Sequence, residues 1–131
     1  MLELPEFQNP ALRLQALTHS SYANEHPGST HNEQLEFIGD AILKIVLSVT
    51  LYQNHPELRE GALTIRRSEL ESNETLAEVA TRLNLGSQLH LDNGTKKQGG
   101  RENDKILSGA LEAIIGAYFL EAGLEPTWQY I

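Results

Sequence analysis

Asn32 to Leu47 reads NEQLEFIGDAILKIVL, and its acids recur at spacings of three and four: Glu33, Glu36 and Asp40. On an α-helix these positions share one stripe about 60° wide. Farther along, the stripe turns apolar as Leu47 and Leu51, while the other faces carry Leu35, Ile38, Ile42, Ile45, Val46 and Val49. The pattern predicts a helix from near Asn32 to between Asn54 and Pro56, buried nearly all round. Two carboxylates about 5–6 Å apart repel by roughly 3 kcal/mol at an effective dielectric of 20, and desolvation adds to that. A packed helix tolerates them if they are protonated or neutralised, and a divalent cation on oxygen ligands does the second.

The flanking sequence extends the helical pattern. Asn9 before Pro10, followed by Leu12, Leu14 and Leu17, predicts a first helix near 10–19. Ser20 to Thr30, with Asn24, Pro27, Gly28 and Ser29, reads as a loop. Two shorter helices are expected over Gly61–Glu71 and Glu74–Asn84, the second capped by Ser72 or Asn73 and stopped by Gly86. Ser87 to Leu91 alternates weakly without a matching partner and is read as extended loop. Asp92 to Asp104 is rich in Gly, Asn and Lys and forms a candidate functional loop. Lys105 to Gly123 predicts a long helix stopped by its glycine, with Pro126 opening another. The expected fold is all-α.

The long second helix holds one acid between Asp104 and Glu121: Glu112, set among Leu111, Ala113, Ile114, Ile115 and Phe119. Gly109 and Gly116 lie three before and four after it on one flank. A glycine costs a helix interior about 1 kcal/mol relative to alanine, and close approach of another helix explains such a pair. Two helices crossing there would bring Glu36 and Asp40 opposite Glu112.

Composition narrows the alternatives. At 131 residues and 40% hydrophobic, the chain is expected to form one domain, 1–131. It contains no cysteine, which excludes disulfides and thiolate-bound zinc. No apolar run reaches spanning length, and the opening MLELPEFQNP has neither the basic segment nor the apolar stretch of a signal, so a cytoplasmic setting without membrane contact is expected. A net charge of −8 argues against a broad basic surface, so any nucleic-acid contact must be local. Lys96, Lys97, Arg101 and Lys105 supply the dense basic cluster suited to phosphate. The five histidines show no metal-ligand spacing and read as structural or surface groups.

NEQLEFIGDAIL resembles the signature of the ribonuclease III family, whose usual form is close to N-E-R-L-E-F-L-G-D-A-V-L. The similarity continues through ALTHSSYANE (16–25), Glu60-Gly61, Gly99-Gly100-Arg101 and ILSGALEAIIGAYFLEAG (106–123). The resemblance implies a dimeric helical endonuclease domain that hydrolyses double-stranded RNA with Mg²⁺, Mn²⁺ being able to substitute, one active site per subunit. Glu36, Asp40 and Glu112 match the family's catalytic metal ligands, and Glu33 and Glu60 match acids lining the cleft. Phe37 matches the aromatic that plugs into the partner subunit. No double-stranded RNA-binding domain is expected within 1–131.

One position departs from the pattern. The family carries Asp three residues before the second-helix Glu, and this chain carries Gly109. Water, Ser108 or Asp104 is the available compensation, although Asp104 lies roughly 10 Å or more along the axis from Glu112. The first expectation is a Mg²⁺-dependent endoribonuclease. The second is a relative of the same fold that binds RNA, or associates with the ribosome, with weakened or lost cleavage. A bare helical interaction domain is the third. Apart from the resemblance, Glu33 fits a capping box with Thr30, Glu60 fits an exposed polar turn, and Phe37 fits a core position.

Overall fold

Residues 33–54, which carry the three clustered acids, do form one helix, and a second long helix crosses it. The computed structural model describes residues 3–131; Met1 and Leu2 of the expected 1–131 domain lie outside the described residues. In chain order the helices are α1 (Pro10–Ala16), α2 (Ser20–Glu25), α3 (Glu33–Asn54), α4 (Glu60–Leu70), α5 (Asn73–Arg82), α6 (Asn93–Lys97), α7 (Asp104–Ala122) and α8 (Leu124–Tyr130). Single 3-10 turns occupy Gly86–Gln88 and Gly100–Glu102. Among the described residues the fold is all-α, as the 3.6-residue periodicity indicates.

The core lies where α7 packs between α3 and α5. From Leu107 to Ala117 every residue of α7 is buried except Glu112, so the helix is a central rod with one acid at its margin. Glycine permits the closeness of the α3–α7 crossing. A Cβ on Gly39 would run into the main-chain carbonyl of Glu112, and one on Gly116 would run into the carbonyl of Leu35. The backbones therefore touch directly, which accounts for the helix-interior glycine at 116.

The helix α3 is not buried all round. Leu35, Gly39, Leu43, Val46 and Leu51 face inward, whereas Phe37, Ile45 and Tyr52 are 79%, 47% and 71% exposed. Helix α7 covers one side of α3 and α4 braces part of another, and the apolar residues left between them stay open to solvent. The expected capping box is also absent, because Asn32 rather than Thr30 precedes the first helical residue. Asn32 is buried, and its Nδ2 donates to the carbonyl of Ala16 at 3.1 Å.

Other departures have local causes. The first helix stops at Ala16, short of 19, because Thr18 bridges His90: the His90 N–H donates to the Leu17 carbonyl at 2.8 Å, and the His19 N–H to that of His90 at 3.1 Å. The segment 87–91 thus has a partner, one residue long, which alternation could not disclose. The Ser20–Thr30 stretch contains α2, started by His19, whose Nδ1 accepts the Ser21 N–H. Its six residues are too few to show a period.

The α5 stop is not Gly86. Asn84, at φ 54, ends the helix, with its N–H donating to Thr81 and that of Leu85 to Ala80, a Schellman arrangement. Gly86 instead allows the carbonyl of Arg101 to approach. Within 92–104, Asp92 caps the short α6 by accepting the Thr95 N–H at 2.7 Å. Gly123, at φ 89, stops α7 as expected, but α8 begins at once with Leu124, two residues ahead of Pro126.

Candidate active site

At the α3–α7 crossing, Glu36 and Asp40 come from one helix and Glu112 from the other. They face a pocket of about 650 Å³ also lined by Glu33, Asn32, Phe37, Gly109, Lys105, His19 and Ser20. The spacing of the acids on α3 accounts for its side of the pocket. The contact of Gly39 with the Glu112 backbone accounts for the other, since it fixes which residue of α7 stands opposite Asp40.

Electrostatics mark Glu112 as the stressed member. Burial pushes its carboxyl up to about 8; a hydrogen bond with Asp40 and the charges of Asp40 and Glu36 add to this, and Lys44 opposes it. Glu36 is also shifted upward, first by burial and then by the charge of Glu33, with Lys105 opposing. Asp40 is not buried: its side chain is 52% exposed and lies 3.6 Å from Lys44 Nζ. The expectation of buried acids therefore holds in part: Glu36 and Glu112 are half-buried, while Asp40 is open to solvent and acts on Glu112 by hydrogen bond and charge. Among the described residues, no three Asp, Glu or His side chains stand ready-made around one point.

Gly109 opens onto this cluster. A Cβ placed there would lie 2.8 Å from Glu36 Oε2, so the Glu36 carboxylate rests where a side chain at 109 would begin. Ser108 is fully buried with an unpartnered hydroxyl, and neither it nor Asp104 lines the pocket. Neither residue substitutes for the absent carboxylate there.

The remaining sequence candidates are dispersed. Glu60 is the exposed first residue of α4, and Lys96 and Lys97 are exposed at the end of α6; none lines the pocket. Arg101 is held by the fold, its Nη1 donating to the carbonyls of Gly86 and Leu89 at 2.8 Å each. Phe37 sits at the pocket's rim and is exposed, so it is not a core residue of this chain.

Sequence reasoning passed over two residues beside the acids. His19 lines the pocket, its Nδ1 is 2.8 Å from Ser21 Oγ, and burial lowers its pKa. Its signal was the ALTHSSYANE block rather than any metal spacing. Lys44 is one turn after Asp40, and its Nζ is 2.8 Å from Glu71 Oε2, while the other oxygen, Glu71 Oε1, lies 3.1 Å from Arg67 Nε one turn back along the chain. Arg67 also donates to Ser48 at 3.0 Å, closing a brace between α3 and α4.

Comparison with known proteins decides the lineage. A family model described as Ribonuclease-III-like matches residues 9–131. This chain belongs to the ribonuclease III family. Ribonuclease 3 of Carboxydothermus hydrogenoformans is 44% identical over 127 residues, covering 95% of this chain and 54% of that protein. Ribonuclease 3 of Streptomyces coelicolor is 47% identical over 121 residues, covering 92% and 44%. The chain thus spans about half the length of the curated ribonuclease III relatives it matches. Among solved structures, the ribonuclease III nuclease domain of Campylobacter jejuni, described as flexible in a region involved in dimer formation, superposes with a TM-score of 0.89 at 40% identity, covering 95% of this chain and 85% of that one. Dicer of Pichia stipitis superposes at 0.74 with 27% identity, covering 98% and 54%. Among the described residues, no helix is long and apolar enough to cross a membrane.

Proposed function

We propose that residues 1–131 form a single ribonuclease III nuclease domain that cleaves double-stranded RNA as a cytoplasmic homodimer, one site per subunit. The observation that carries this reading is the meeting of Asp40 and Glu112 across the glycine-lined crossing. It puts oxygen donors from two rigid helices at the edge of a pocket, with Glu112 raised to about 8 by burial and by its acidic neighbours. Acids that resist ionising together favour a proton or a cation, and an all-oxygen set suits Mg²⁺, or Mn²⁺ in its place. Glu36, Asp40 and Glu112 would hold the ion. Bound there, Mg²⁺ supplies an activated water and offsets charge on the phosphodiester.

The chain's own residues do the rest. Gly39 and Gly116 fix the distance between the two acidic walls. Lys44 sits beside Asp40 while anchored to Glu71, which limits where that carboxylate can swing. Glu33 raises the negative charge around Glu36, and Glu60, outside the pocket at the start of α4, would act only where bound RNA extends beyond it. Lys96 and Lys97 would meet backbone phosphates; with Arg101 tied to two carbonyls, its part is to hold that segment in place. Phe37, exposed beside the site, is the side chain we assign to the partner subunit.

A second reading is favoured by one observation, the Glu36 carboxylate resting over Gly109. With one acid fewer on α7, the domain would bind duplex RNA and cleave it weakly or not at all. Incubating a long RNA duplex with and without Mg²⁺ separates the two. Cutting that requires Mg²⁺ and disappears in Glu112→Gln supports the nuclease, and binding without cutting at saturating Mg²⁺ supports the second reading.

A further inference from the structure

Glu71, the residue that caps the end of α4, lies outside the acidic pocket, yet its carboxylate reaches back toward α3. Its side chain is only 14% exposed, and both oxygens are engaged: Oε2 lies 2.8 Å from Lys44 Nζ, and Oε1 lies 3.1 Å from Arg67 Nε. Arg67 donates in turn to the Ser48 hydroxyl at 3.0 Å, and that hydroxyl donates to the Lys44 carbonyl at 2.6 Å. The ring of contacts starts and ends on residue 44, so it fixes the Glu71 carboxylate relative to α3.

Lys44 follows Asp40 by four positions and stands beside it on α3, where an acid and a lysine ordinarily pair. Here the ammonium lies 3.6 Å from Asp40 Oδ1 and 2.8 Å from Glu71 Oε2, drawn toward the more distant element. The difference bears on the pocket. An ammonium and a divalent cation on one carboxylate repel each other, the more so where burial lowers the dielectric. A Lys44 released from Glu71 would close on Asp40 and occupy the oxygen that a metal ion needs. Nothing on α3 itself prevents this; the restraint comes from α4.

We propose that Glu71 is a positioning residue of the site: it draws the Lys44 ammonium off Asp40 and so leaves that carboxylate open to a divalent cation. The inference rests on the reading of Asp40 as a metal ligand and deepens it, by giving α4 a part in setting metal affinity. No covalent bond is made or broken.

A double-mutant cycle on Glu71→Gln and Lys44→Met tests it, with Mn²⁺ as the probe and free Mn²⁺ followed by electron paramagnetic resonance. Loss of a residue that orients a metal's ligands costs about 10- to 100-fold in affinity, and we expect roughly tenfold in Glu71→Gln. Lys44→Met should bind Mn²⁺ at least as tightly as wild type, and adding Glu71→Gln to it should change nothing further. In cleavage, Glu71→Gln should need more Mg²⁺ for half-maximal rate and reach the wild-type kcat at saturation. Glu78→Gln, which removes the same charge from an exposed pair with Arg82, should keep wild-type affinity and controls for net charge. Weaker Mn²⁺ binding in Lys44→Met, the result of a purely structural brace, overturns the proposal whether or not Glu71→Gln folds. So does a full tenfold loss on adding Glu71→Gln to Lys44→Met, which would mark a direct field of Glu71 rather than an effect through the lysine. If wild type binds Mn²⁺ and Glu71→Gln binds it equally well, the Glu71 assignment is wrong and the nuclease stands. If wild type binds no Mn²⁺, or Glu112→Gln binds it as well as wild type, the metal reading falls and this inference with it.

Discussion

Gly39 of α3 lies directly against the main-chain carbonyl of Glu112 on α7, leaving no room for even a methyl group between the helices. The obstruction is backbone rather than a movable side chain. Gly39→Ala must push the helices apart at the point where they carry Asp40 and Glu112. We expect a loss of about 3 kcal/mol, the upper part of the range for overpacked cores, read from urea denaturation, together with a loss of cleavage larger than the residual folded fraction explains.

Glu112 predicts an unusual pH dependence of stability. In the fold its carboxyl titrates at about 8 rather than 4.5, so between those values the native state holds a proton that the unfolded chain has released. Stability without metal therefore falls as pH rises from about 4.5 through about 8. Thermal melts in EDTA should show this decline, and Glu112→Gln should flatten it. Mg²⁺ competes with the proton, so its apparent affinity should climb over the same interval.

Restoring an acid at 109 tests the departure from the family pattern. The nearest atom to a Cβ there is Glu36 Oε2, the end of a flexible side chain, so Gly109→Asp can be accommodated by movement of Glu36. The added charge beside Glu36 and Glu112 should lower the melting temperature in EDTA. With Mg²⁺ the order reverses, and calorimetry should record tighter metal binding alongside faster cutting. A variant that melts lower in both conditions and cuts no faster would show that Gly109 is not a vacated ligand position.

Phe37 is the most exposed of the large apolar side chains on α3, in line with Ile45 and Tyr52. Introducing a charge at its tip should leave the monomer's core intact, because the ring packs on little of its own chain. Phe37→Glu is expected to move the sedimentation profile from dimer to monomer with an unchanged far-UV spectrum. A single species of the same mass in both proteins would remove Phe37 from the interface.

Much of this architecture could be read from spacing. Strong periodicity located α3 and α7 to within a residue or two, since each buries a long face and stops at local signals, Gly123 among them. The acids at 36, 40 and 112 were legible because carboxylates stand out among aliphatic residues on a helix, whereas Glu33 at the helix start had a capping role open to it. Shorter features escaped for want of length or of local cause. Helix α2 has no period, the Thr18–His90 bridge joins residues 72 positions apart, and Lys44 finds Glu71 through the packing of α4 on α3. Arg101 looked like a phosphate ligand because charge is visible in a sequence and two waiting carbonyls are not. The exposed side of α3 was misjudged for a related reason: apolar residues announce burial without saying by which molecule.

The acids at the pocket's edge ride on two uninterrupted helices that themselves form the core. Heat has no partial route to disarm such an apparatus, so residual turnover and helical ellipticity should decay along one curve, whichever is followed.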